Sequence, residues 1–240
     1  MDNNSISSWI EDKRGKHGSL VKLPELIPSL LDDLEEKAKT FEFAESKKSF
    51  KLRTRLDFHP IIKNEHLWER FITQTLCNDA LLKNTFFNQF SLTGTNNIDL
   101  LKTDKSGQIT HIIELKTGSN EIGHAAYELV FYYFLLLRAK DKSLIKYKLA
   151  EPMNLIILAP KYYYKTDYQQ DFLIKMRENL NKDEYNKANI DFISLPESND
   201  RDEMKSTTEK IRSKIIGKEI PNDALTDLRE SLKESLKKYF

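Results

Sequence analysis

Three residues in this chain combine reactive chemistry with telling spacing: Asp99, Glu114 and Lys116. Asp99 lies inside the apolar segment Ile98-Asp99-Leu100-Leu101, and fourteen residues separate it from Glu114 in Ile112-Ile113-Glu114-Leu115-Lys116. Side chains of a strand alternate faces, so Glu114 and Lys116 point one way while Ile113 and Leu115 point the other. The turn Asp104-Lys105-Ser106-Gly107 joins the two segments as a hairpin and sets Asp99 across from Glu114. Two carboxylates converging at a sheet's end make a hard-oxygen site suited to Mg²⁺, which takes few protein ligands and keeps its waters. A lysine beside them can lower the pKa of a metal-bound water or balance charge developing on phosphorus. The competing reading is an ordinary hairpin with cross-strand charge pairs. Against it, the charges interrupt apolar strands that a following helix should cover, where unpaired charge is costly.

The elements that must hold these residues follow from periodicity. Thr85–Leu92, Asn97–Lys102 and Thr110–Lys116 read as three successive strands. Asn64 can cap a preceding helix whose Leu67, Trp68, Phe71, Ile72 and Leu76 form one stripe. Gly118-Ser119-Asn120 breaks the sheet, and a helix runs from about Glu121 to Lys140. Its half LVFYYFLLL is apolar on every side, so it should be enclosed. Asn154–Ala159 suits an interior strand, Tyr168–Leu180 a helix and Ile190–Leu195 a strand. The order is helix, three strands, helix, strand, helix, strand: an α/β layered core whose sheet mixes a hairpin with parallel crossovers.

The flanks read differently. Pro24 can open an N-terminal helix through LIPSLLDDLEEKAK, and Ser49–Phe58 alternates like a half-exposed strand. After Pro196 the composition turns polar, ESNDRDEMKSTTEK, and reads as a linker. A last helix after Asp223 carries Leu225, Leu228, Leu232 and Leu236 at three- and four-residue steps. That stripe packs on the host domain or, less commonly, pairs two copies in a homodimer.

The chain has 240 residues, 39% hydrophobic and 31% charged, with net charge +1. This is enough to bury a full core and too apolar for disorder. No apolar run reaches the ~18 residues of a membrane span. The N-terminus lacks a secretory order, and the lone Cys77 allows neither an internal disulfide nor a cysteine metal cluster. A cytoplasmic protein is expected. Near-neutral charge excludes a histone-like binder but leaves local clusters. Lys47, Lys48, Lys51, Arg53 and Arg55 are basic with no acid among them, and Arg138–Lys148 forms a second basic stretch; as solvated faces such clusters are unremarkable. His111 and His124 form no zinc-type set and read as surface or packing residues. Tyr162, Tyr163 and Tyr164 can stack on bases or mark a sheet's rim. No Gly-rich phosphate loop appears, nor a Ser-His-Asp or Cys-His pattern.

Asp99, then Glu114-Leu115-Lys116 after two isoleucines, resembles the PD-(D/E)XK nuclease superfamily, which spans many restriction endonucleases, Holliday-junction resolvases and RecB-type nuclease domains. The resemblance covers roughly Asn64–Leu195 and implies a restriction endonuclease-like core of helix, three-strand meander, helix and strand. It divides the chain into an N-terminal helical extension (1–45), a nuclease-like core (46–200), and a linker with a C-terminal amphipathic helix (201–240). It implies that Asp99 and Glu114 hold Mg²⁺ or Mn²⁺, with the main-chain carbonyl of Leu115 contributing, and that Lys116 positions or activates the attacking water. Many members add an acid from the first helix. Glu65 and Glu69 are the candidates, and Glu65, nearer the edge of the apolar stripe, is preferred. RecB-like members carry Gln-x-x-x-Tyr on the helix after the lysine; here Glu128 stands where Gln is usual, four residues before Tyr132. The proline that often precedes the aspartate is replaced by Ile98.

The expectation is a metal-dependent nuclease acting on phosphodiesters, DNA favoured, in a restriction or anti-phage role that the resemblance alone implies. Lys47, Lys48, Lys51, Arg53 and Arg55, with Lys140 and Lys146, would then hold the backbone by charge, in a salt-sensitive way. The alternative is an inactive nuclease-like module that binds nucleic acid or a protein partner.

Overall fold

The computed structural model describes residues 24–43, 50, 52, 64–79, 82, 84–92, 97–117, 122–164, 166–182, 185, 188–216 and 219–239. The basic cluster Lys47, Lys48, Lys51, Arg53 and Arg55, and with it most of the Ser49–Phe58 segment, lies outside the described residues.

Five strands form one mixed sheet in the order β1-β2-β3-β4-β5: Phe86–Ser91, Asn97–Thr103, Ile109–Leu115, Leu149–Ala159 and Ala188–Ser194. β1, β2 and β3 are antiparallel neighbours, whereas β3, β4 and β5 run parallel. The turn between β2 and β3 is held by Asp104, whose Oδ1 accepts from the Ser106 and Gln108 amides at 2.8 and 2.9 Å. Gly107 adopts φ +82°, which a side chain rarely tolerates. This turn sets the register Leu100↔Ile113 and Leu101↔Ile112, with a shift between Lys102 and Thr103.

Helices cover both faces. On one face lie α1 (Ile27–Thr40), α3 (Ile122–Asp141) and α4 (Asp167–Leu180), packed on Leu101, Ile112, Leu155 and Ile157. Fifteen of the twenty residues of α3 are buried, as a segment apolar on all sides requires. On the other face lie α2 (Asn64–Cys77), α5 (Arg201–Ser213) and α6 (Thr226–Leu236), packed on Leu100, Ile113, Leu115, Ile156 and Leu158. The α/β architecture and mixed sheet expected from periodicity are present.

One flanking reading is corrected and another filled in. The N-terminal helix is present and joins the core: Ile27, Leu30, Leu31, Leu34 and Ala38 of α1 are buried in the same core as α3. Pro28 fits because it occupies the first turn, where its missing N–H has no helical partner. Residues 201–213, read as a linker, form α5. Asp200 caps it by accepting from the Asp202 and Glu203 amides, and Met204, Thr207, Thr208 and Ile211 are buried. Trp68 Nε1 donates to Thr208 Oγ1 at 3.0 Å, tying α5 to α2.

The C-terminal leucine stripe is spent inside the chain. Leu228, Leu232 and Leu236 are at most 2% exposed. Beside them Arg229 is buried over the Phe71 ring, donating to Thr75 Oγ1 at 2.7 Å and to the carbonyls of Ile220, Pro221 and Ala224. Truncating Leu232 to Ala opens a cavity in this core and should lower unfolding free energy by about 2–5 kcal/mol in urea titration. If the stripe were instead an interface, the midpoint would shift with protein concentration; a concentration-independent midpoint is expected.

Candidate functional site

The reactive residues gather where β2 begins and β3 ends, against the first half of α3. One step past Leu100↔Ile113, the register sets Asp99 beside Glu114, as the hairpin reading anticipated. Asp99 Oδ2 accepts from the Leu115 amide at 2.9 Å. Leu115 sends its side chain into the opposite core, so only its main chain is available to the site. Lys116 follows the strand's last residue and turns back to the same face as Glu114. Its Nζ lies 2.5 Å from Glu114, 3.0 Å from Glu128 on α3 and 3.8 Å from Glu65 on α2.

Glu128 stands one helical turn before Tyr132, and the Tyr132 hydroxyl donates to Glu128 Oε1 at 3.0 Å. His124, one turn earlier, has Nε2 3.7 Å from Glu128 Oε2. Glu114, Lys116 and Glu128 are buried, whereas Asp99 is only partly covered and the Glu65 side chain is 36% exposed. The cluster therefore faces solvent on the Asp99–Glu65 side.

The other helix acid occupies a different place. Glu69 is 1% exposed; its Oε1 accepts from Asn88 Nδ2 and Gln89 Nε2 at 3.2 and 2.9 Å, and its Oε2 from Gln89 Nε2 at 3.0 Å. Glu65 thus reaches the lysine, while Glu69 is fixed on the β1 side and interacts with Asp99 through its charge. Asn88 and Gln89 had not been singled out. Their signal was an adjacent polar pair inside the apolar strand Phe86–Ser91, where simple alternation predicts only one polar face.

Among the described residues, charge in this cluster is unbalanced, with Asp99, Glu114, Glu128, Glu65 and Glu69 gathered about Lys116. Burial, then the charge of Asp99, pushes Glu69 up to about 8 against the hydrogen bonds of Gln89 and Asn88. Burial pushes Asp99 up to about 7 although Lys116 opposes it. Burial and Asp99 together hold Glu114 well above the usual carboxylate range. Burial alone would depress Lys116, but Glu114, Glu128, Asp99 and Glu65 outweigh it and keep its pKa above the ordinary lysine value. Lys116 is therefore an ammonium at neutral pH and donates; it does not accept a proton.

A hard divalent cation fits this donor set. Glu114 Oε2 is buried without a hydrogen-bond donor, and Asp99 spends only one oxygen on the Leu115 amide. No group of three or more His, Cys, Asp or Glu among the described residues forms a ready-made metal cage. Mg²⁺ needs none, since one or two carboxylates and retained waters are its usual protein environment.

The remaining candidates sit apart. Lys140 and Lys146 belong to the far end of α3 and the loop beyond it. Lys140 is twelve residues from Glu128, about 18 Å along a helix axis, and pairs with Glu151 at 3.7 Å. His111 is buried edge-on against Tyr239, and desolvation followed by the Lys102 charge lowers it to about 4. Tyr164 stacks on Phe192 and Tyr162 meets Tyr163 edge-on, so both serve packing at the sheet's rim.

No protein-family model, curated protein or solved structure matches this chain.

The raised carboxylates make stability pH-dependent. In the unfolded chain they ionise near 4, so between that pH and their folded values the folded state holds more protons. Stability is then full at low pH and is lost as pH rises through about 7 and 8. His111 acts oppositely but only below 6.5, so pH 6.5–8 isolates the acids. In EDTA, unfolding free energy should fall across that window by about 1 kcal/mol per pH unit. Excess Mg²⁺ should flatten the decline, while an unchanged slope with Mg²⁺ would contradict a cation site.

Proposed function

We propose that this protein is a Mg²⁺- or Mn²⁺-dependent nuclease that hydrolyses phosphodiester bonds, with DNA the favoured substrate. The observation that carries the reading is the convergence of Asp99, Glu114 and Lys116 at one strand end, where the described residues include more carboxylates than cations. The element order α2, β1, β2, β3, α3, β4, α4, β5 supports it, being the order that the PD-(D/E)XK resemblance implies.

Asp99 and Glu114 are the residues that would hold the cation. Bound there, it would polarise the scissile phosphate and supply hydroxide from a coordinated water. The chain's own groups do the rest. Glu128, steadied by Tyr132, keeps the Lys116 ammonium at the pocket even if Glu114 turns its oxygens elsewhere. Lys116 then offsets negative charge building on the phosphoryl oxygens as water adds to phosphorus and the sugar oxygen leaves. Glu65, at the open side and within 3.8 Å of Lys116, is placed to orient water or accept its proton.

Supercoiled plasmid incubated with Mg²⁺ or Mn²⁺ provides the test. The parent protein should nick or linearise it, and Asp99→Ala, Glu114→Ala and Lys116→Ala should each slow cutting by about 100-fold or more. Undiminished cutting by Glu114→Ala and Lys116→Ala would end this reading.

A further inference from the structure

Gln89 breaks the local rules of its strand. The β1–β2 register runs Asn88↔Leu100 and then Phe90↔Ile98, leaving Gln89 as the unpaired step opposite Asp99. Its φ is +53°, a left-handed conformation that costs a residue with a side chain and is out of place within a strand. In a regular strand consecutive side chains point to opposite faces. Here Asn88 and Gln89 nevertheless both reach the Glu69 carboxylate. The left-handed turn of the backbone at Gln89 is what permits this.

The same turn reverses the facing of the strand, so that Phe86 and Phe90, of one parity, enter opposite cores, as do their neighbours Leu100 and Ile98. Phe86 and Phe90 on either side are 1% exposed and anchor β1 in the two cores. That packing accounts for the turn but not for what it carries, since an apolar side chain on α2 at position 69 would serve the core as well. The chain instead buries a carboxylate on α2, holds it with the amides of Asn88 and Gln89, and does so next to Asp99. Burial and Asp99 favour the protonated form of Glu69, so a nearby cation is what would hold it ionised, and an ionised carboxylate accepts at about four positions. Three are taken by the amides, which leaves one on Oε2.

We propose that Gln89, assisted by Asn88, is a positioning residue that fixes Glu69 beside Asp99, with the spare lone pair of Glu69 accepting from water on a divalent cation. The inference rests on the reading of Asp99 and Glu114 as that cation's ligands. Outer partners of this kind change metal affinity by about 10–100-fold when removed. A structural role for Gln89 would affect folding instead, so the two are separable.

The test is titration calorimetry with Mn²⁺ on the full chain, alongside urea unfolding in EDTA. Gln89→Gly relieves the backbone strain and deletes the amide; Gln89→Asn tolerates the left-handed φ but is too short to hold both Glu69 oxygens. Either should weaken Mn²⁺ binding about tenfold or more while leaving unfolding midpoints near the parent's. Glu69→Gln should weaken it similarly, and combining it with Gln89→Gly should add little, because both act through one carboxylate. Parent-like Mn²⁺ affinity in the Gln89 variants, with Asp99→Ala abolishing binding, would overturn the positioning role and leave the metal site standing. Weakened binding accompanied by a matching loss of stability would also overturn it. A parent chain that takes up no Mn²⁺ would overturn both readings together.

Discussion

One lysine ammonium has to serve several buried acids. Lys116 lies within ion-pair distance of Glu114, Glu128 and Glu65, and Asp99 and Glu69 add their charge from the β2 and β1 sides. Removing Lys116 alone would leave Glu114 and Glu128 buried and uncompensated, whereas removing an acid would relieve repulsion. This asymmetry orders the surroundings. The ammonium must be held in place, and β3, α3 and α2 each contribute a carboxylate that holds it.

The fold makes such crowding affordable. Apolar cores on both faces of the sheet clamp β2 and β3, with Leu101 and Ile112 packed to one side and Leu100, Ile113 and Leu115 to the other. Each fully buried aliphatic or aromatic side chain contributes roughly 1.5–3 kcal/mol. Strands gripped in this way cannot slide to separate Asp99 from Glu114, because a one-residue slip would exchange the faces of every apolar side chain. The enclosed helix α3 carries Glu128 and Tyr132 into the same corner, and its burial leaves Glu128 no easy route to solvent. Rigidity from packing thus becomes electrostatic tension at one strand end.

Much of this was legible in the sequence, for a physical reason. Polar residues inside apolar segments stand out, and the segments themselves obey clear periods. Asp99 in Ile98–Leu101, Glu114 and Lys116 after Ile112-Ile113, and Glu128 before an apolar run all announced themselves. What escaped notice was masked by composition or conformation. Helix α5 buries positions i, i+3, i+4 and i+7, but two of the four are Thr207 and Thr208, which mimic a polar linker. Strand β4 extends back to Leu149 through exposed Glu151 and Pro152, where a proline argues against a strand. α1 was read as an extension because its stripe faces α3 across a long stretch of intervening sequence, a contact that periodicity cannot reveal. The left-handed φ of Gln89 has no sequence signal at all, because it answers to tertiary contacts: the passage of β1 from one core at Phe86 to the other at Phe90, and the carboxylate of Glu69.

Departures from local rules are informative when they converge. A sequence selected only for folding keeps propensity, pattern and burial in agreement, and isolated violations are scattered. Here, among the described residues, a strained backbone at Gln89, a buried acid held by amides at Glu69, an unbonded oxygen on Glu114 and a crowded ammonium at Lys116 occupy neighbouring positions across β1, β2, β3 and α2. Each is costly on its own, and simple apolar substitutions would remove each of them. They group beside the side that Glu65 leaves open, which is why the function proposed above assigns their cost to a ligand. On the function proposed above, the ligand would be a hydrated divalent cation, whose positive charge would relieve the crowded acids together.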